Sequence, residues 1–475
     1  MNKMSERKLP FMKKFLFGIS AIPDQMTYQA FTLYVFTFYF AVVGLSLTQV
    51  WIGFIIWAVW NMLNDPILGA LSDRTKHKGK LGKRRYYMVI AVVPLSLTMI
   101  FLFTVPMITD PDWIQFAYFL FIIMLFEFFY TMFDVNVNAL FPEMFPTEDQ
   151  RAQTNIHVKA FTVVGVILAS LPTLILSPMA PTIDPIIDPI GAAEQLALIR
   201  TNYLIAGIIL GVITVATALP FLIKGIKERE ETTELFENRP TFFQSLKHTF
   251  KNKTFLKFVV ANTMVWYVFN TLMTIFPLYF VHVIGVDEEA FIITLSLVFA
   301  LLVAAFVLPF HRFLGKKLGM RNAFMITLGL WIVLLFPFLL LNPGDLVLGV
   351  IITAIQGFAL SGALFYVDIL IGDVIDEDSL KFGVKRSASY YGINALIHRF
   401  STILSITTIA LVFSGTGWSG GYEPNPGIDV IIGLKLIVML FPAIGCAIAI
   451  IFLKWFDLHG EKLKIVRAKL AEKEN

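Results

Sequence analysis

One cysteine, Cys446, is present in 475 residues, and it sits inside an apolar run. A single thiol excludes an intrachain disulfide and any cysteine-built metal cluster, and it says nothing of the redox compartment. Charge is scarce as well: Asp, Glu, Lys and Arg make up 15% of the chain, where a water-soluble protein carries about a quarter. Water is therefore not the main solvent of this sequence. The net charge of +4 is small, and its basic residues lie in short connecting segments, so nucleic acid is excluded as a partner. No nucleophile beside a base and no set of metal-ligand residues stands out, which predicts no enzyme, no metal site and no cofactor.

Apolar residues take up 57% of the chain and phenylalanine alone occurs 46 times. Apolar runs of about 20 residues recur from end to end, each long enough to cross about 30 Å of hydrocarbon as a helix. Barrel strands would be shorter and would alternate apolar with polar residues, which these runs do not. The runs fall at 14–41, 46–72, 86–107, 113–140, 153–177 and 201–224, then at 254–283, 289–310, 322–342, 345–372, 386–414 and 430–455. The basic start (Lys3, Arg7, Lys8, Lys13, Lys14) resembles a signal peptide, but the run after it is too long and carries Asp24, so it is read as helix 1.

The sequence thus predicts an all-α membrane protein of twelve transmembrane helices in two six-helix bundles. The expected division is 1–224 for the first bundle, 225–253 for a charged cytoplasmic linker containing Pro240, and 254–475 for the second. A short amphipathic helix is expected over 242–250 within the linker. The 2–3 loop holds Arg74, Lys76, Lys78, Lys80, Lys83, Arg84 and Arg85, and the 8–9 loop holds Arg312, Lys316, Lys317 and Arg321. The loops on the other side contain Arg200 as their one basic residue. Lys and Arg mark the cytoplasmic face, so both termini are expected there. Equal halves with matching basic loops suggest an internal duplication, a plan of solute carriers whose site lies near midplane between the halves.

An ionised side chain in mid-membrane costs on the order of 3 kcal/mol and therefore needs a partner, a wet cavity or neutralisation. Helix 1 carries Asp24 beside Pro23, with Gln25 next and Tyr28 one turn on; helix 2 carries Asn61, Asn64 and Asp65 on one face. Helix 4 carries a stripe of Glu127, Thr131, Asp134 and Asn138, and helix 5 carries Asn155, Lys159 and Thr162. In the second half, helix 7 offers Asn262, Trp266, Tyr267 and Asn270, helix 10 holds Asp368, and helix 11 offers Ser387, Tyr391, Asn394 and His398 with Arg399 adjacent. Any single one of these could clamp neighbouring helices, Glu127 and Asp368 most of all. Four stripes on separate helices point to a common wet cavity.

The stretch from Asn61 to Thr75, with Asn64, Asp65, Pro66, Gly69, Leu71, Asp73 and Arg74, followed by Gly82, Lys83, Arg84 and Arg85, resembles the 2–3 loop signature of the major facilitator superfamily. Its flanks narrow the resemblance to the glycoside–pentoside–hexuronide:cation symporters, the melibiose permease family, to which sodium-dependent lysophospholipid carriers are related. Further matches are Pro23-Asp24, the segment from Thr131 to Asp134, the segment from Asp373 to Asp376, and Lys385-Arg386. The resemblance implies that Asp24 and Asp134 bind sugar hydroxyls, and that Lys159 and Arg399 stand at the family's helix 5 arginine and helix 11 lysine. It implies a cation site at Asn61, Asn64, Asp65 and Thr131, where Asn61 replaces one of two family aspartates. Asp65 alone suits a proton or sodium, with the proton slightly favoured. Asn138 stands where melibiose permease packs the sugar on an aromatic ring, so stacking falls to Tyr28, Tyr391 or Trp266, and Asn394 completes the set. Asp73, Arg74 and Arg84, with Asp373 and Asp376, are expected as inner gating latches.

The expectation is a monomeric, multi-pass carrier in the cell (plasma) membrane that moves a sugar or glycoside with a monovalent cation, H+ or Na+, by alternating access. A carrier of lysophospholipid or another amphiphile on the same scaffold, and an uncoupled facilitator or receptor, are the alternatives.

Overall fold

The computed structural model describes residues 10–75, 82–105, 112–145, 148–175, 178–226, 251–286, 291–382, 387–418 and 422–474. The expected linker helix at 242–250 lies outside the described residues. Twelve long helices run in order. The first, α1, comprises Phe11–Ile19, Ala21–Thr37 and a π-helical end at Phe38–Val43; then come α2 (Leu47–Arg74), α3 (Arg84–Phe101), α4 (Asp112–Met144), α5 (Glu148–Ser170) and α6 (Pro189–Pro220). The second set is α7 (Lys253–Tyr279), α8 (Phe291–Leu318), α9 (Met320–Leu335), α10 (Leu346–Phe382), α11 (Ser387–Thr416) and α12 (Ile428–Lys454). Among the described residues, eleven helices are long and apolar enough to cross a membrane; α5, with a polar first half, is not one of them.

Local chemistry sets the helix breaks. Pro23 has no N–H for the Ile19 carbonyl, and the Ser20 hydroxyl donates to the Phe17 carbonyl at 2.7 Å, so α1 is interrupted at Ser20. At its far end the Leu45 N–H donates to the Tyr39 carbonyl at 3.0 Å, and Gly44 follows the π-helical turn with φ of 85°. The α7 helix ends by the same device: π-helical Phe280–Ile284, a bond from the Val286 N–H to the Phe280 carbonyl at 3.1 Å, and Gly285 with φ of 77°. Only glycine takes such a φ without steric cost. Ser46 and Gln49 then form a reciprocal capping box that starts α2.

The chain divides into two compact units. One contains Met1–Glu237, Asp287–Thr294 and Gly420–Asn425; the other contains Asn238–Val286, Leu295–Ser419 and Pro426–Asn475. In the first unit α1 packs on α5 and α6, α2 on α4, and α3 on both α4 and α6. The α3–α6 crossing is close because Gly207 and Gly211, four residues apart, lie against the main chain of α3. A Cβ on Gly211 would come within 2.8 Å of the Ser96 carbonyl, whose own hydroxyl donates to the Gly211 carbonyl at 2.8 Å. Small residues at this spacing let helices approach where lipid gives no hydrophobic drive.

In the second unit α7 packs on α11 and α12, and α9 on α10 and α12. Polarity runs inside out: Glu127, Asn61, Asn136, Asn262 and Asn270 are buried, while Phe306 is 88% exposed and Val347 75%. A further helix, α13 (Gly460–Glu474), follows the last span. It is held on α10 by Arg467 to Asp373 at 2.9 Å and Lys462 to Glu377 at 3.3 Å.

Candidate functional site

Among the described residues of the first unit, two polar clusters gather residues expected in the site, and α4 supplies residues to both. In one, the Thr131 hydroxyl lies 3.1 Å from Asp65 Oδ1 on α2 and 3.1 Å from Glu127 Oε1 one turn back on its own helix. The Trp57 indole N–H donates to Glu127 Oε2 at 3.0 Å, and the Asn64 amide donates to the Glu127 main-chain carbonyl at 3.2 Å. Glu127 and Asn61 are both fully buried. Neither side-chain amide atom of Asn61 has a hydrogen-bond partner among the described residues. The expected Asn61, Asn64, Asp65 and Thr131 therefore lie along one α2–α4 seam, together with Glu127 and Trp57, which were not among the expected cation ligands. The i, i+4 spacing of Glu127 and Thr131 was the available signal.

In the other cluster, the Tyr130 hydroxyl donates to Asp24 Oδ1 at 2.8 Å, and the Gln25 amide donates to Asp24 Oδ2 at 2.8 Å. Tyr130 also stacks on Tyr28, with ring centroids 5.4 Å apart. A little further along α4, the Asn138 amide donates to Asp134 Oδ1 at 2.7 Å. Asp24, Tyr28 and Asp134 are half-buried and Asn138 is exposed. Such a surface offers carboxylate acceptors, amide donors and an aromatic face, the chemistry that polyhydroxylated rings use. Lys159 on α5 is exposed and makes no ion pair among the described residues. Gln25 stood beside Asp24 in the sequence reading without a role, and Tyr130 was missed, because an aromatic on a phenylalanine-rich helix reads as packing.

The second unit carries its own polar seam between α7 and α11. The Asn262 amide donates to Asn394 Oδ1 at 2.9 Å, Asn270 donates to the Ser401 hydroxyl at 3.0 Å, and the Thr271 hydroxyl donates to Ser405 at 3.1 Å. Trp266 is half-buried and meets Phe269 edge-on at 5.7 Å, and Arg399 is half-buried. The side chain of Tyr391 lies outside the described residues.

Of the expected gating residues, Arg84 is 3% exposed and pairs with Glu143 on α4 at 2.8 Å, also reaching the Ser72 hydroxyl at 3.3 Å. Ser72 in turn meets Asn136. Asp373 pairs with Arg467 of α13, and Asp376 is half-buried. The side chains of Asp73 and Arg74 lie outside the described residues. Arg84 and Asp373 thus each have a partner within their own unit. Glu143 went unread because α4 is longer than its apolar run. At 33 residues it is about 50 Å long against about 30 Å of hydrocarbon.

Twelve long helices, eleven of them apolar enough among the described residues to cross a membrane, have the major facilitator fold of multi-pass membrane transporters. The chain belongs to the MFS/sugar transport protein family, which it matches over residues 16–460. It is 24% identical to a Synechocystis protein named uncharacterized symporter sll1374, with 89% of each chain covered. It is 21% identical to the sodium-dependent lysophosphatidylcholine symporter 1 of Xenopus tropicalis, covering 98% of this chain and 90% of the relative. Among solved structures, the nucleoside transporter NupG shares the fold with a TM-score of 0.61 at 14% identity, covering 94% of this chain and 99% of that one.

Proposed function

We propose that this protein is a cation-coupled symporter of a sugar or glycoside, resident in the plasma membrane with both termini in the cytoplasm. The observation that carries the reading is an adjacency on α4. Tyr130 holds Asp24, on the side offered to the solute, and the next residue, Thr131, holds Asp65 and Glu127, on the side offered to the cation. A cation or proton arriving between Asp65 and Glu127 neutralises buried charge whose desolvation costs several kcal/mol per ion. The bond geometry at Thr131 then changes, and the neighbouring Tyr130 carries that change to Asp24. Asp134, Asn138 and Lys159 supply the remaining polar contacts in the first unit. Alternating access follows as the general behaviour of this fold.

Uptake into proteoliposomes of a panel of glycosides, pentoses, uronides and lysolipids, under imposed proton and then sodium gradients, tests the reading. An inside-negative potential of 100 mV is worth about 2.3 kcal/mol per charge, or about 50-fold accumulation. Asp65→Asn is expected to abolish accumulation, while Asp24→Asn and Asp134→Asn raise the half-saturating solute concentration. No accumulation by the wild type, or full accumulation by all three variants, ends this proposal. Accumulation of lysolipid alone favours the second reading, which the named Xenopus relative supports.

A further inference from the structure

The α2–α4 seam holds two carboxylates where the sequence resemblance pointed to one. We propose that Glu127 is the second carboxylate of a monovalent-cation site whose oxygens come from Asp65, Glu127, Thr131 and Asn61; this rests on the coupled-transport reading.

Four observations converge on that assignment. Glu127 is fully buried, and its Oε2 is taken by the Trp57 indole N–H, which leaves Oε1 aimed at Thr131. The Thr131 hydroxyl has one hydrogen, yet it stands 3.1 Å from an oxygen of Glu127 and 3.1 Å from an oxygen of Asp65. It can donate to only one of them at a time. A cation or a proton between the two carboxylates offsets their mutual repulsion.

Asn61 is the independent pointer to a ligand. Residues 57, 61 and 65 of α2 occupy one face at successive turns. Trp57 reaches Glu127 and Asp65 reaches Thr131, so Asn61, set between them, faces the same space. It is fully buried, and both amide atoms are unpartnered among the described residues. A buried side-chain amide without a partner is rare in native proteins, and its Oδ1 is a further ligand for a hard ion. Two carboxylates, a hydroxyl and an amide oxygen suit sodium or lithium, which prefer oxygen, and the same carboxylate pair can instead share a proton. The Asn64 amide nitrogen donates to the Glu127 main-chain carbonyl, which ties α2 to α4 beside this site.

The test relocates the charge within the site. Purified full-length wild type, Glu127→Gln, and the double variant Asn61→Asp with Glu127→Gln are compared for equilibrium binding of radiosodium at alkaline pH. The same proteins are compared in sodium-free buffer for the pH dependence of Trp57 fluorescence, taken as the difference from matched proteins that also carry Trp57→Phe. Sodium as occupant predicts that Glu127→Gln weakens radiosodium binding by about tenfold or more and that the added Asn61→Asp restores it. A proton as occupant predicts no radiosodium binding in the wild type. It predicts instead a fluorescence step with pH that Asp65→Asn displaces, Glu127→Gln removes and Asn61→Asp restores.

Binding or a step that Glu127→Gln leaves intact overturns the assignment, as does a loss that Asn61→Asp does not restore, or the absence of both signals in the wild type. If Glu127→Gln does not give a monodisperse protein, Trp57→Phe takes its place. It keeps both carboxylates but frees Oε2, and unchanged radiosodium binding and an unchanged pH dependence of proton uptake in that variant overturn the proposal equally. Cation binding governed by Glu127 without gradient-driven uptake of any solute sinks symport and leaves the site standing. Gradient-driven uptake that survives Glu127→Gln does the reverse.

Discussion

Replacing Tyr130 by Phe removes one hydroxyl and leaves the ring. The lost bond is the 2.8 Å donation to Asp24 Oδ1, while the stack on Tyr28 at 5.4 Å and the contact with Phe126 at 5.8 Å are kept. A hydrogen bond to a charged acceptor contributes about 1.5 to 3 kcal/mol, equivalent to about 10- to 150-fold in an equilibrium constant. Asp24 is half-buried and retains Gln25 on its other oxygen. Water can therefore take part of the vacated position, and the lower end, about tenfold, is the expected rise in half-saturating solute concentration. Thr131 keeps its own contacts, so the cation concentration that half-activates uptake should move by less than about threefold. Initial uptake rates in proteoliposomes over a grid of solute and cation concentrations separate the two effects. An unchanged solute requirement, or a cation requirement that moves as far as the solute's, would refute the division of labour between Tyr130 and Thr131.

Three other outcomes follow from features away from that pair. Arg84→Ala strips the guanidinium from a nearly buried pair and leaves Glu143 uncompensated, a loss of about 3 kcal/mol that should lower the thermal midpoint more than Glu143→Gln does; equal shifts contradict the pairing. Gly211→Leu drives a side chain into the Ser96 carbonyl and should reduce the yield of monodisperse protein, whereas Gly329→Leu, at a position with open space around it, should not. The Lys257 ammonium, bonded to Asp457 at 2.6 Å, holds that carboxyl below its ordinary value. Its stabilisation is therefore complete above the ordinary carboxylate pKa and is lost as pH falls through the lowered one; thermal midpoints measured down that range should lose this component in Asp457→Asn.

Helix number and order were legible in the sequence because lipid imposes them: a span must bury about 20 residues of backbone polarity in its own hydrogen bonds. The interior stripes were legible for the same reason, since Asp24, Asp65 and Asp134 have no place against hydrocarbon. Partners across helices were not. That Glu127 meets Trp57 and Thr131 depends on how α2 lies on α4, and spacing along one helix carries no record of it. Tyr130 was hidden among the phenylalanines of α4. The α13 helix escaped notice because it is short and charged, and its place is set by Asp373 and Glu377 some ninety residues earlier.

The duplicated C-terminal endings of α1 and α7 have a mechanical consequence. A π-helical turn holds one surplus residue, so it is a place where a helix can gain or shed part of a turn without breaking its neighbours' bonds. Both bundles carry such a spring at the same end of their first rod, closed by a left-handed glycine. Strain arising deeper in either rod can therefore be released at the tip, before it reaches the connecting loop.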